Sequence, residues 1–148
     1  MDDSTLFLIM SGLSGLGWVL LILVSPCWKD ADKAVMGVVV LILGCAYGFF
    51  NFAHLREVGG VTAFFSYEGV RRVLANDGLQ LAAWAHILAL DLVAGVWMLH
   101  NARLSKVKHL VMVPVYLLTI MFAPLGLVLY MVIRALKTRS WLAGNGGI

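Results

Sequence analysis

Four long apolar runs separated by polar intervals dominate the pattern along the chain. The first extends from Leu6 to about Val24 and stops at Ser25-Pro26. The second covers about Ala34 to Ala53, the third about Leu79 to Met98, and the fourth about His109 to Leu136. A spanning helix needs about 20 mostly apolar residues at about 1.5 Å each to cross the hydrocarbon core. Backbone groups in lipid must be satisfied within their own segment, so each run is expected to be a helix. The pattern predicts an all-α integral membrane protein: a four-transmembrane-helix bundle forming a single membrane domain over 1–148.

The intervals fit this picture. Trp28-Lys29-Asp30-Ala31-Asp32-Lys33 and Asn101 to Lys108 are short and polar, so their flanking helices should be antiparallel neighbours. The stretch from about Leu55 to Gly78 is longer and contains Gly59-Gly60, a turn signal. Beyond it, Phe64, Phe65, Tyr67, Val70, Val73 and Leu74 segregate from Glu68, Arg71 and Arg72. That segregation predicts a short interfacial helix between the second and third spans, with a plain ordered loop as the equal alternative. The terminal Gly144-Asn145-Gly146-Gly147-Ile148 reads as a loose tail.

Composition strengthens the membrane reading. Of 148 residues, 61% are hydrophobic and only 13% charged. Soluble domains carry about 25% charged residues. The net charge of +3 is small and lies between apolar runs. It matches a membrane surface rather than a nucleic-acid footprint. Cys27 and Cys45 make no disulfide framework. Met1-Asp2-Asp3-Ser4 lacks the basic region of a secretory signal, so the first run is expected to be a retained span.

Four spans would place both termini and the long interval on one side, with Arg56, Arg71, Arg72, Arg134, Lys137 and Arg139. The other side would hold Lys29, Lys33, Arg103, Lys106 and Lys108. Six against five leaves orientation open, with a slight lean to cytoplasmic termini.

Polar groups inside the apolar runs carry the candidate chemistry. Asp91 is the only acidic residue within a span, near the middle of the third. A lipid-exposed carboxylate there costs at least about 2.5–3.5 kcal/mol, so Asp91 should face the bundle interior and marks function by default. The plainer reading is a structural acid bonded to a neighbouring helix. His86, five residues earlier, projects about 140° away and would flank the other edge of a broad face.

By chain direction, Asn51, His54, Glu57, Gln80, His86, Tyr130 and Arg134 should converge on one half of the bundle above Asp91. For His54, Glu57 and Arg134 the competing reading is a headgroup contact at a helix end. Pro124 should kink the fourth span. A metal set of His54, His86 and Asp91 is conceivable, but no tight ligand spacing supports it, and no metal or other cofactor is predicted. The phosphate loop, dinucleotide fingerprint and serine elbow of soluble enzymes are missing from the sequence.

The third and fourth runs also carry a recognisable combination. Trp84-Ala85-His86 precedes Asp91, and Leu117-Leu118-Thr119-Ile120-Met121-Phe122-Ala123-Pro124-Leu125-Gly126 leads to the basic end Arg134-Ala135-Leu136-Lys137. This resembles the abscisic-acid-deficient-four-like family, the plant neoxanthin-synthase-type membrane proteins and their bacterial relatives. The resemblance covers roughly the second half of the chain, and Trp84, His86, Asp91, Pro124 and Gly126 match its motif positions.

The resemblance implies a role linked to carotenoids: an epoxide-to-allene isomerisation without net redox change. His86 and Asp91 would divide the acid and base tasks. Asn51, His54, Trp84, Trp97, Pro124, Tyr130 and Arg134 would line the substrate groove, with Phe49, Phe50 and Phe122 as further aromatic candidates; the plainer reading of the aromatics is ordinary packing. The expected ligand is an apolar carotenoid or isoprenoid held from the bilayer. The expected location is a bacterial cytoplasmic membrane or a thylakoid-type membrane. Two rivals stand beside this enzyme: a non-catalytic carotenoid- or lipid-binding partner, and a small proton-coupled transporter using Asp91.

Overall fold

The computed structural model describes residues 2–139, and every regular element among them is helical. The Gly144–Ile148 tail lies outside the described residues. Three helices are long and apolar enough to cross a membrane: α1 (Asp3–Val24), α2 (Ala31–Val58) and α4 (Asp77–Leu104). Between α2 and α4 lie a 3-10 segment, Gly60–Phe65, and the short helix α3 (Tyr67–Ala75). Two further helices follow, α5 (His109–Met121) and α6 (Ala123–Thr138).

Local chemistry sets these boundaries. Gly59 and Gly60 take left-handed φ values of 106° and 69°, which lets α2 end and the chain turn. The Ser66 hydroxyl accepts from the Gly69 amide at 3.0 Å and caps α3. The Asn76 side chain accepts from the Leu79 amide at 3.0 Å and caps α4. Its amide group also donates to Glu57 at 2.9 Å, tying the start of α4 to the end of α2.

Helix α4 is the hub. Small residues let α1 approach it closely: a methyl group on Gly95 would meet the Trp18 ring at 2.8 Å, and one on Gly17 would meet Leu92 at 2.9 Å. The buried seam of α4 includes Ala85, Ala89, Leu92 and Leu99, packed with Leu21, Val39 and Leu43. Pairings along the chain fix directions. Trp84 meets Ser11 and Arg103 meets Ser25, so α1 and α4 are parallel. Tyr47 packs on His86 and Asp32 lies near Arg103, so α2 is antiparallel to α4.

The fourth apolar run departs from expectation. It is a hairpin of two short helices, not a kinked span. Helix α5 starts beside the end of α1, where the His109 Nε2–H donates to the Ile22 carbonyl at 2.8 Å. The chain breaks at Phe122 (φ −146°, ψ 75°), and α6 starts with Pro124 in its first turn. Proline suits that position because its missing N–H would have had no helical partner. Helix α6 then returns. Tyr130 packs edge-on to Trp97 with ring centroids 5.7 Å apart, and its hydroxyl donates to Asn101 at 2.5 Å.

The Lys137 amine donates to the Lys106 carbonyl. A straight run would have carried Lys137 about 40 Å from His109 at about 1.5 Å per residue. Instead it sits beside the turn from which α5 set out. Gly126 abuts the Thr119 backbone at the fold-back, where any Cβ would collide with it. In place of four long helices, the described residues form three helices long and apolar enough to cross a membrane and a hairpin of two short ones.

Candidate functional site

Helix α4 presents a second face, turned away from its buried seam. Ile87, Leu90 and Ala94 recur there at helical spacing, with His86 and Asp91 on its two edges. The hairpin tip, Met121 to Leu125, stands opposite. Between them lies a groove of about 700 Å³. Leu90, Met121, Phe122 and Leu125 are each more than half exposed, so the groove opens sideways. Its lining is almost wholly apolar, and His86 and Asp91 are the ionisable groups on it.

Asp91 is half-buried, and among the described residues no hydrogen bond or ion pair reaches its carboxylate. It occupies this lateral groove, not the interior seam expected for a mid-span acid. His86 is exposed on the groove edge, and its ring packs on Tyr47 with centroids 5.0 Å apart. His86 and Ile87 also border a smaller hollow of about 280 Å³ that includes Tyr47, Asn51 and Phe64. Ile87 further borders a cavity of about 640 Å³ next to Phe7, Gln80 and Trp84. Three hollows thus meet along one face of α4.

The other candidates divide between the two ends of the molecule. Pro124 lines the groove at the hairpin tip. Asn51 borders the smaller hollow, its amide donating to the Tyr47 carbonyl at 3.2 Å. Trp84 stacks on Phe7 at 5.0 Å and donates to the Ser11 hydroxyl at 2.9 Å. His54 turns to Glu57 at 3.2 Å and covers Gly78.

Tyr130, Arg134 and Trp97 do not join them. The fold-back carries Tyr130 and Arg134 to the far end of α4, where both are buried and Tyr130 is held by Asn101. The seven-residue convergence inferred from four crossings is therefore corrected to two separate groups. Phe49 and Phe50 pack edge-on with each other at 5.4 Å on α2. No group of three His, Cys, Asp or Glu placed to hold a metal occurs among the described residues, and the His54, His86, Asp91 set is not gathered.

Ser11, Tyr47 and Asn101 were missed from sequence. Each lies within an apolar run or at its end, and their partners are distant in the chain. One signal for the hairpin was available: the fourth run is longer than a crossing needs, and Pro124 and Gly126 sit near its middle.

A model of the family described as ABA DEFICIENT 4-like matches residues 5–130. No curated protein matches the chain, and no solved structure does.

Proposed function

The chain belongs to the ABA DEFICIENT 4-like family, and from that premise we propose that it is a membrane enzyme acting on a carotenoid or related isoprenoid lipid. The observation that carries this reading is the side-opening apolar groove whose ionisable groups are His86 and Asp91. A long apolar substrate enters such a groove from the bilayer without passing through water. The hairpin tip at Phe122 and Pro124 forms its second wall, and Phe64 of the 3-10 segment and Leu74 of α3 border the adjoining hollow.

The reaction proposed is an acid/base isomerisation of the neoxanthin-synthase type. One of the pair donates a proton to the epoxide oxygen as a C–O bond breaks. The other removes a proton from the neighbouring polyene carbon, and that electron pair becomes the new cumulated double bond. Atoms and oxidation state are conserved, so no redox partner is needed. His86 and Asp91 stand on opposite edges of one stripe of α4, so the substrate lies across that stripe between them. Transport is the weaker rival, since Asp91 neighbours Leu90, Ala94 and Leu127 rather than a file of polar groups.

The test uses full-length protein in lipid nanodiscs supplied with an epoxycarotenoid, with products separated by chromatography. General acid–base groups contribute about 10²–10⁴ in rate, so Asp91→Asn and His86→Ala should each lower turnover at least about 100-fold. Both variants should still retain pigment. Normal conversion by both variants would overturn the assignment. Pigment retention without turnover by the unmodified protein would favour the binding-partner reading.

A further inference from the structure

The fold-back regroups the charges. The face reached by the ends of α1, α4 and α6 carries Lys29, Lys33, Arg103, Lys106, Lys108, Arg134, Lys137 and Arg139, against Asp30 and Asp32. The opposite face carries only Arg56, Arg71 and Arg72, against five acidic residues. The basic face holds a cavity of about 510 Å³ that shares no lining residue with the Asp91 groove. Its floor is apolar and buried, formed by Leu99, Ala102, Val107 and Met112. Its polar lining is Lys29, Arg103 and His109, together with Ser25.

Arg103 and His109 are held in place by the end of α1 and the turn after it. The Arg103 guanidinium donates to the Lys29 carbonyl at 3.2 Å and to the Ser25 carbonyl at 3.1 Å. The Asp32 carboxylate lies 3.6 Å away and steadies it from the side. These contacts use part of a group with five N–H donors and leave capacity for an anion. The His109 ring is anchored through Nε2 to Ile22. Lys33 is engaged by Asp30 at 2.7 Å, and that ammonium holds the Asp30 carboxyl below the usual carboxylate range. Lys29 has no carboxylate partner among the described residues.

We propose that this cavity binds a phosphate-bearing amphiphile of the surrounding bilayer. The phosphate sits among Lys29, Arg103 and His109, and an acyl chain lies against Leu99 and Met112. Basic pockets between membrane helices suit anionic headgroups because charge attraction and chain burial act together. The site is independent of the reading given for Asp91.

Native mass spectrometry of the full-length protein, released from micelles containing phosphatidylglycerol, phosphatidylcholine or inorganic phosphate, tests it. Phosphatidylglycerol should be retained in preference to phosphatidylcholine, and inorganic phosphate should displace it only weakly. Lys29→Gln combined with Arg103→Gln should reduce retention about tenfold or more. Met112→Trp, which fills the floor and leaves the charges in place, should reduce it as well. Arg139→Gln, a charge change on the same face outside the cavity, should leave retention unchanged. Equal loss in Lys29→Gln and Arg139→Gln would overturn the site in favour of a diffuse surface charge. Displacement by inorganic phosphate as effective as by lipid would overturn the amphiphile. Retention unaffected by Lys29→Gln and Met112→Trp would overturn it altogether.

Discussion

At the scale of single residues, Asp91 is the odd member of an apolar helix. It is half-buried, without a hydrogen bond or ion pair among the described residues, and it faces a groove walled by Leu90, Ala94 and Pro124. A carboxyl group in that setting weakens the folded protein. Asp91→Leu should therefore raise stability by about 1–3 kcal/mol, read as a higher unfolding midpoint in lipid, while abolishing turnover. A lower midpoint would mean that Asp91 supports the fold. Asp91 and His86 were legible in the sequence because polar groups are rare in such runs and therefore conspicuous. Their surroundings were not legible. Tyr47 reaches His86 only because α2 packs against α4, and Ser11 reaches Trp84 only through α1, contacts that no local pattern encodes.

At the scale of elements, the α5–α6 hairpin decides what the groove is made of. A continuous fourth helix would have carried Tyr130 and Arg134 towards the start of α4; the break at Phe122 returns them to its end. The contact between Lys137 and Lys106 gives a direct check. Cysteines placed at both positions should be joined rapidly by a short bifunctional thiol reagent within one chain. Failure to join, with ready joining of Lys137→Cys to Arg56→Cys, would restore the four-crossing arrangement. The hairpin rests on particular side chains: Pro124 suits a helix start, and Gly126 leaves room for the Thr119 backbone.

At the scale of the whole molecule, the hairpin places the two ends of the described chain on opposite faces. Eight basic residues then lie on the face that holds Lys106 and Lys137, and three on the other. Basic residues near span ends favour the cytoplasm. Reporter fusions should report the carboxy-terminal end as cytoplasmic and the amino-terminal end as external. Both ends on one side would contradict the hairpin, and a reversed pair would contradict the charge rule.

The sequence by itself determined that this is a helical membrane protein, because the length and apolarity of each run are local properties that lipid reads directly. It also marked His86, Asp91 and Pro124 as exceptional. Whether the last run crosses or returns was decided only in three dimensions. A proline and a glycine in mid-run permit either a kink or a reversal, and the choice depends on what each half can pack against. Here Tyr130 finds Trp97 and Asn101, and Thr119 finds space beside Gly126, so the reversal wins. The same packing placed Asp91 outside the interior seam, in an apolar groove that opens sideways.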